Sequence, residues 1–109
     1  MLHTVTQAQI DEFVAGCARI CDEHLRKSYP ESFELLRETV EAEIGQRYAR
    51  VYRVGRAQRS AHCFIDLTNG DVLKAASWKA PEKKNPRGNL NDAHKGLRGM
   101  TPYGTVYLR

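Results

Sequence analysis

The sequence predicts an α+β fold, an N-terminal helical hairpin packed on an antiparallel sheet of about four strands, with a long basic loop before the last strand. Three observations predict it. Apolar residues recur at three- and four-residue spacing between Ile10 and Ile44, β-branched and aromatic residues take over from Tyr48, and an Asn69-Gly70 pair separates two later apolar runs. The chain's 109 residues amount to one domain, too few for two ordinary cores.

Thr6 followed by Gln9 is a capping-box pattern, in which each side chain satisfies an orphan amide of a helix's first turn. Ile10, Phe13, Val14, Cys17, Ile20, Cys21, His24 and Leu25 then fall on one helical face. Ser28 with Glu31 repeats the capping pattern, with Pro30 tolerated in a first turn. That predicts a second helix carrying Phe33, Leu36, Val40 and Ile44 to a stop at Gly45. The short connection makes the pair an antiparallel hairpin.

Tyr48, Val51, Tyr52 and Val54 favour a strand, residues 55–58 a turn and residues 60–67 a second strand. Thr68-Asn69-Gly70-Asp71 is a hairpin signal, and residues 72–77 form the returning strand. Pairing about a two-residue turn sets Leu67 opposite Val72, Ile65 opposite Lys74 and Cys63 opposite Ala76. A lysine fits that core face poorly, so either the loop is longer or Lys74 lies at an edge and reaches water. Residues 79–102 lose periodicity, and prolines and glycines alternate there with charges. Residues 103–108 read as a short strand that rejoins the sheet.

The net charge of +4 conceals a division. Residues 1–46 hold four basic and nine acidic side chains, whereas residues 47–109 hold thirteen basic and four acidic ones. This asymmetry points to the basic half as the surface that meets an anion, unless the halves neutralise each other within a protomer or across a dimer. No apolar run approaches the length of a membrane span, and the first residues lack the layout of an export signal, which places the chain in the cytoplasm. Cys17, Cys21 and Cys63 are odd in number with no Cys-x-x-Cys pair, and they read as reduced core thiols. Cys17, Cys21 and His24 share a helical face, but without a fourth ligand they read as packing, so no metal and no cofactor is expected. A core this small makes homo-oligomerisation through the N-terminal helices a route to further burial.

The segment 74–98 is the candidate binding region, with Lys74, Ser77, Trp78, Lys79, Lys83, Lys84, Arg87, Asn89 and Arg98 as the contacting set. Lysines and arginines neutralise phosphate, Trp78 stacks or braces the loop, and Asn89 reads a polar edge. His94 is the histidine that falls within this loop. Arg47, Arg50, Arg53, Arg56 and Arg59 recur every third residue. On strands they alternate faces, so two or three of them rim the site and at least one pairs with an acidic helix residue. There is no phosphate-loop or H-E-x-x-H pattern, and Ser77 opposite His62 lacks an orienting group, so catalysis is not expected.

The segments His62-Cys63-Phe64-Ile65-Asp66, Thr68 to Pro81 and Arg87-Gly88-Asn89, with the terminal Tyr103-Gly104-Thr105-Val106-Tyr107-Leu108-Arg109, resemble small accessory proteins encoded by many bacteriophages. The resemblance implies a setting in a bacterial cytoplasm and carries over no catalytic residue. Accessory proteins of that kind often disable host defences, by sequestering nucleotide signals or by blocking nucleic-acid-guided or other complexes. The function expected is therefore non-catalytic binding of a phosphate-bearing ligand, a nucleotide or a nucleic acid. The alternative is a protein-binding inhibitor of a host defence complex.

Overall fold

The computed structural model describes residues 5–55 and 58–105. The first helix, α1, spans Gln7–Ser28 and begins with the expected reciprocal cap. Thr6 Oγ1 accepts from the Gln9 amide at 3.2 Å, and Gln9 Oε1 accepts from the Thr6 amide at 3.0 Å. Ile10, Phe13, Gly16 and Cys17 are its buried residues.

The predicted second helix is not there. Ser28 is the last residue of α1, and the Tyr29 amide closes that helix onto the Leu25 carbonyl at 2.7 Å. A single 3-10 turn, Pro30–Ser32, and a four-residue α2, Phe33–Leu36, lead directly into strand β1, Thr39–Ile44. Phe33 is buried, with the Arg26 guanidinium 4.3 Å from its ring centroid and that of Arg37 at 5.8 Å. The four-residue spacing of Leu36, Val40 and Ile44 fits a helix, but four is also a multiple of two. Alternating Val40, Ala42 and Ile44 with Thr39, Glu41 and Glu43 satisfies a strand equally well. Unbroken pairing with β2 (Tyr48–Val54), from Thr39↔Val54 to Ile44↔Ala49, decides between them.

The sheet consequently has five antiparallel strands, in the order β1-β2-β3-β4-β5, not four beside a helical hairpin. Strand β3 spans Arg59–Asp66, β4 Asp71–Leu73 and β5 Gly88–Asn89. The β3–β4 register is Phe64↔Leu73 and Ile65↔Val72, two residues from that of a two-residue turn. The longer loop follows from Asp66. Its carboxylate accepts from the Thr68 amide at 3.0 Å and the Thr68 hydroxyl at 2.6 Å, while its carbonyl accepts from the Gly70 amide at 2.7 Å. A shift of two keeps each side chain on its face and moves Lys74 beyond the end of β4. Ser77 and His62 are therefore not opposite one another.

Residues 79–102 are not the open loop their composition suggests. Ala75 bridges Pro81, the Glu82 amide donates to the Lys74 carbonyl at 2.8 Å, and β5 pairs with β4. Asp92 then gathers the amides of Asn89, His94 and Gly96 at 3.0, 2.9 and 3.0 Å. This turn lies on the core, because a Cβ on Gly96 (φ +83°) would stand 2.9 Å from a Val72 methyl carbon and one on Gly16 would stand 2.4 Å from Leu97. The last strands, β6 (Met100–Thr101) and β7 (Gly104–Thr105), pair with each other in a separate two-stranded sheet. The expected terminal strand thus appears as β7 and does not join the large sheet, and residues 106–108 lie outside the described residues. The core, between α1 and one sheet face, includes Phe13, Cys17, Val51, Cys63, Ile65, Leu67 and Val72.

Two aspartates make this architecture acid-sensitive. Burial opposes the charge of Asp66, but hydrogen bonds from the Thr68 hydroxyl and amide, with Arg47 beside it, hold its carboxyl below the ordinary 3.8. The Gly96 amide, then those of Asn89 and His94, does the same for Asp92. A lowered folded-state value means that the unfolded chain binds protons first as pH falls. The stabilisation is therefore complete above the ordinary aspartate range and is lost as pH drops through the folded values. Thermal unfolding across a pH series should show a steeper fall in Tm below about pH 4 for the native chain than for an Asp66→Asn/Asp92→Asn variant. Parallel curves would count against these two carboxylates as the cause.

Candidate functional site

The sheet face turned away from α1 gathers aromatic and cationic side chains. Along β2, strand alternation sends Ala49 and Val51 to the core and Tyr48, Arg50 and Tyr52 to the opposite face. On β3 the register shifts between Val51↔Cys63 and Tyr52↔Ala61, leaving His62 as the extra residue of a bulge. The bulge brings Arg59 to the same face as Phe64, although an odd separation of five residues would part them on a regular strand.

Trp78 lies over this face, half-buried. Its ring stands 5.4 Å from that of Tyr52, edge to face at 65°. The guanidiniums of Arg50 and Arg59 lie 4.6 and 5.5 Å from the Trp78 centroid, and those same groups lie 5.8 Å from Phe64 and 5.7 Å from Tyr52 respectively. Arg50 Nε also donates to the Trp78 carbonyl at 2.7 Å, and its NH1 pairs with Glu43. Arg50 is thereby the joint between the sheet and the Trp78 segment.

Beside this stack a hollow of about 400 Å³ opens between the β1–β2 turn and Lys79, lined among others by Arg47, Tyr48, Arg50 and Phe64. Three cations face one acid, Glu43, across its walls. Arg47 is 57% exposed, lies over the Tyr48 ring at 5.3 Å and donates one contact to Asp66 at 3.3 Å. The rings of Tyr48 and Phe64 and the three cations together suit an anion that carries a flat part.

The structure distributes the nine expected contact residues. Trp78 and Lys79 are at this face, and Ser77 Oγ accepts from the Lys79 amide at 3.2 Å, shaping the turn between them. Lys74 lines a different, smaller hollow with His62 and Thr105. Lys83 and Lys84 are exposed farther along the loop, and Arg98 is exposed in the turn before β6. The Arg87 side chain is 4% exposed and donates to Glu82 at 3.4 Å, to the Lys84 carbonyl at 3.2 Å and to the Asn85 carbonyl at 2.8 Å. Asn89 donates to the Asn69 carbonyl at 2.9 Å and to Asp71 at 3.0 Å, and accepts from the Asn91 amide at 2.8 Å. These last two brace the fold from within.

Of the arginine series, Arg47 and Arg50 line the hollow and Arg59 lies over Trp78 beside it, whereas Arg56 lies outside the described residues. Arg53 turns away, 3.8 Å from Glu38, which precedes β1 and is not helical. Arg53–Glu38, Arg50–Glu43 and Lys95–Glu12 (2.6 Å) each join the basic half to the acidic half, so part of the charge division is neutralised internally. Tyr48, Tyr52 and Phe64 also belong to this face, although the sequence marks them only as strand residues. Their signal is the alternation Tyr48-x-Arg50-x-Tyr52, which sets aromatic and cation on one strand face.

Among the described residues no group of three or more His, Cys, Asp or Glu side chains is arranged to hold a metal ion, and no helix is long and apolar enough to cross a membrane. Cys21 instead contacts the Pro102 carbonyl, and His24 meets the Tyr103 hydroxyl at 3.2 Å. No curated protein and no solved structure matches the chain. A family model does match residues 3–101, and the chain belongs to that family, a family of unknown function (DUF7717).

Proposed function

We propose that this chain binds a phosphate-bearing ligand, a nucleotide or a nucleic acid, without converting it, and that the face around Trp78 receives it. The observation that carries this reading is the Arg50–Trp78–Arg59 stack adjoining a hollow rimmed by Arg47 and Lys79. A guanidinium and a nucleobase compete for the same aromatic surface. Arg59 is exposed, so a base that takes its place on Trp78 frees its donors for phosphate. Arg50, tied to the Trp78 carbonyl, stays in position.

The chain's single tryptophan reports on the site directly. Titration with mononucleotides, cyclic nucleotides and short single-stranded oligonucleotides should quench or shift its fluorescence to saturation. A nucleic acid would show affinity falling steeply with salt, since released counterions drive its binding. A mononucleotide would show a shallow salt response and one site per chain. Unchanged fluorescence and an unchanged Tm with every one of these ligands at millimolar concentration would refute the reading.

A further inference from the structure

The exchange described for Arg59 on Trp78 has a counterpart at the other end of the same face. The guanidinium of Arg47, an exposed side chain, lies 5.3 Å from the Tyr48 centroid. A base can take its place on that ring as well. Tyr48 and Trp78 are the half-buried rings of the face, whereas Tyr52 and Phe64 are 9% and 3% exposed and serve as packing beneath the cations. The face therefore offers two stacking stations, each covered by an exposed arginine, with the fixed Arg50 between them.

The strand sets the distance between the stations. Tyr48 stands two residues from Arg50 and four from Tyr52 on one side of β2, about 7 and 13 Å at the rise of an extended chain. Trp78 lies against both of the latter, 4.6 Å from the Arg50 guanidinium and 5.4 Å from the Tyr52 ring. One base cannot cover Tyr48 and Trp78 together. Two successive bases of an extended single strand can. The hollow beside Tyr48 holds Arg50 and Lys79 where the linking phosphate would pass. Glu43, the acid of that hollow, pairs with Arg50 from β1, which leaves the Lys79 side for the phosphate. In a duplex each base is covered on both faces by its neighbours, so neither ring would be reached.

Resting on the phosphate-binding reading above, we propose that the ligand is a single-stranded nucleic acid. Two successive bases stack on Tyr48 and Trp78, and the phosphate between them meets Arg50 and Lys79. Arg47 and Arg59, displaced from the rings, turn to the flanking phosphates.

The test follows Trp78 fluorescence of the folded full-length chain at one fixed salt concentration. The ligands are thymidine monophosphate, oligothymidylates of two, three and six nucleotides, the matching uridylates, and a blunt DNA duplex. Affinity should rise about tenfold or more from the mononucleotide to the trinucleotide, as a second stacked base would give, and no more than about threefold from three to six. The duplex should bind at least about tenfold more weakly than the six-nucleotide strand. Tyr48→Ala should remove the gain with length and leave the mononucleotide affinity within a factor of about two, since Trp78 carries that binding. Tyr48→Phe, which keeps the flat ring, should retain the gain, and circular dichroism confirms folding of both. Either series showing this pattern supports the proposal, and the tighter of the two identifies DNA or RNA as the source. A mononucleotide that binds as tightly as the trinucleotide, a duplex that binds as tightly as the single strand, or a gain that survives in folded Tyr48→Ala would overturn the proposal and leave the phosphate-binding reading standing. Absence of binding by every one of these ligands would overturn both.

Discussion

Replacing Arg50 with alanine is expected to weaken ligand binding about a hundredfold, because one side chain serves two ends there. As a phosphate partner it contributes charge-assisted hydrogen bonds of ~1.5–3 kcal/mol. As the group 4.6 Å from the Trp78 centroid it adds a cation–π contact, ~0.5–1 kcal/mol at a partly exposed site. Their loss together corresponds to roughly two orders of magnitude in Kd. Arg50→Lys keeps the charge but not the planar stack or the Nε bond to the Trp78 carbonyl, and it should recover only part of the affinity. Arg87→Ala is the informative contrast, since that guanidinium is spent on Glu82 and two loop carbonyls. It should lower Tm and leave Kd within a factor of about two, the spread expected of a residue outside the interface. Fluorescence titration of the three variants, with circular dichroism to confirm folding, checks the order. Equal affinity in folded Arg50→Ala would remove this face from consideration.

Gly104→Ala, the addition of a single methyl group, should destabilise the fold severely. Gly104 has φ +117°, and a Cβ there would stand 2.5 Å from the His62 carbonyl oxygen. The obstacle is backbone on both sides, so no side chain can rotate to make room. Strain at such a backbone position costs ~1–3 kcal/mol. Forcing β7 away from β3 adds ~1–3 kcal/mol, as overpacking does. A total near 3 kcal/mol lowers Tm by roughly 15 °C in a domain of this size. Gly55→Ala provides the control, because its Cβ would meet nothing nearer than a Glu38 carboxylate oxygen at 3.4 Å and its φ is not in the left-handed region. That change should stay within about 1 kcal/mol. Thermal and urea denaturation of both variants measures the difference, and equal costs would show that β7 is not seated on the bulge.

The same bulge explains why the candidate site is only partly legible in the sequence. Trp78 and Lys79 stand out by type, Lys79 as a cation lining the hollow and Trp78 as the ring stacked on Arg50 beside it. Arg50 and Arg59 are visible as members of a series, but their shared face depends on the register shift at His62. Arg87 and Asn89 look like ligand contacts for the same reason that they make good internal braces, their many hydrogen-bonding atoms. Whether such atoms are spent inside or offered outside depends on which carbonyls the folded loop brings near.

The features legible in the residues alone are those that local interactions enforce. The Thr6–Gln9 cap lies within four consecutive residues, the stripe from Ile10 to Cys17 within three helical turns, and the Asn69-Gly70 turn beside its own strands. The fate of residues 37–44, the β3–β4 register and the role of residues 82–100 were settled by packing in the folded chain. A four-residue period suits helix and strand alike, and the β2 strand chose. A hairpin loop closes where Asp66 finds Thr68, Gly70 and Arg47, and a loop becomes a core layer only when Gly16 and Gly96 let it approach α1 and β4. Apart from the local bonds from Thr68 and Gly70 to Asp66, these choices are made by contacts between residues far apart in the chain, which periodicity and composition do not record.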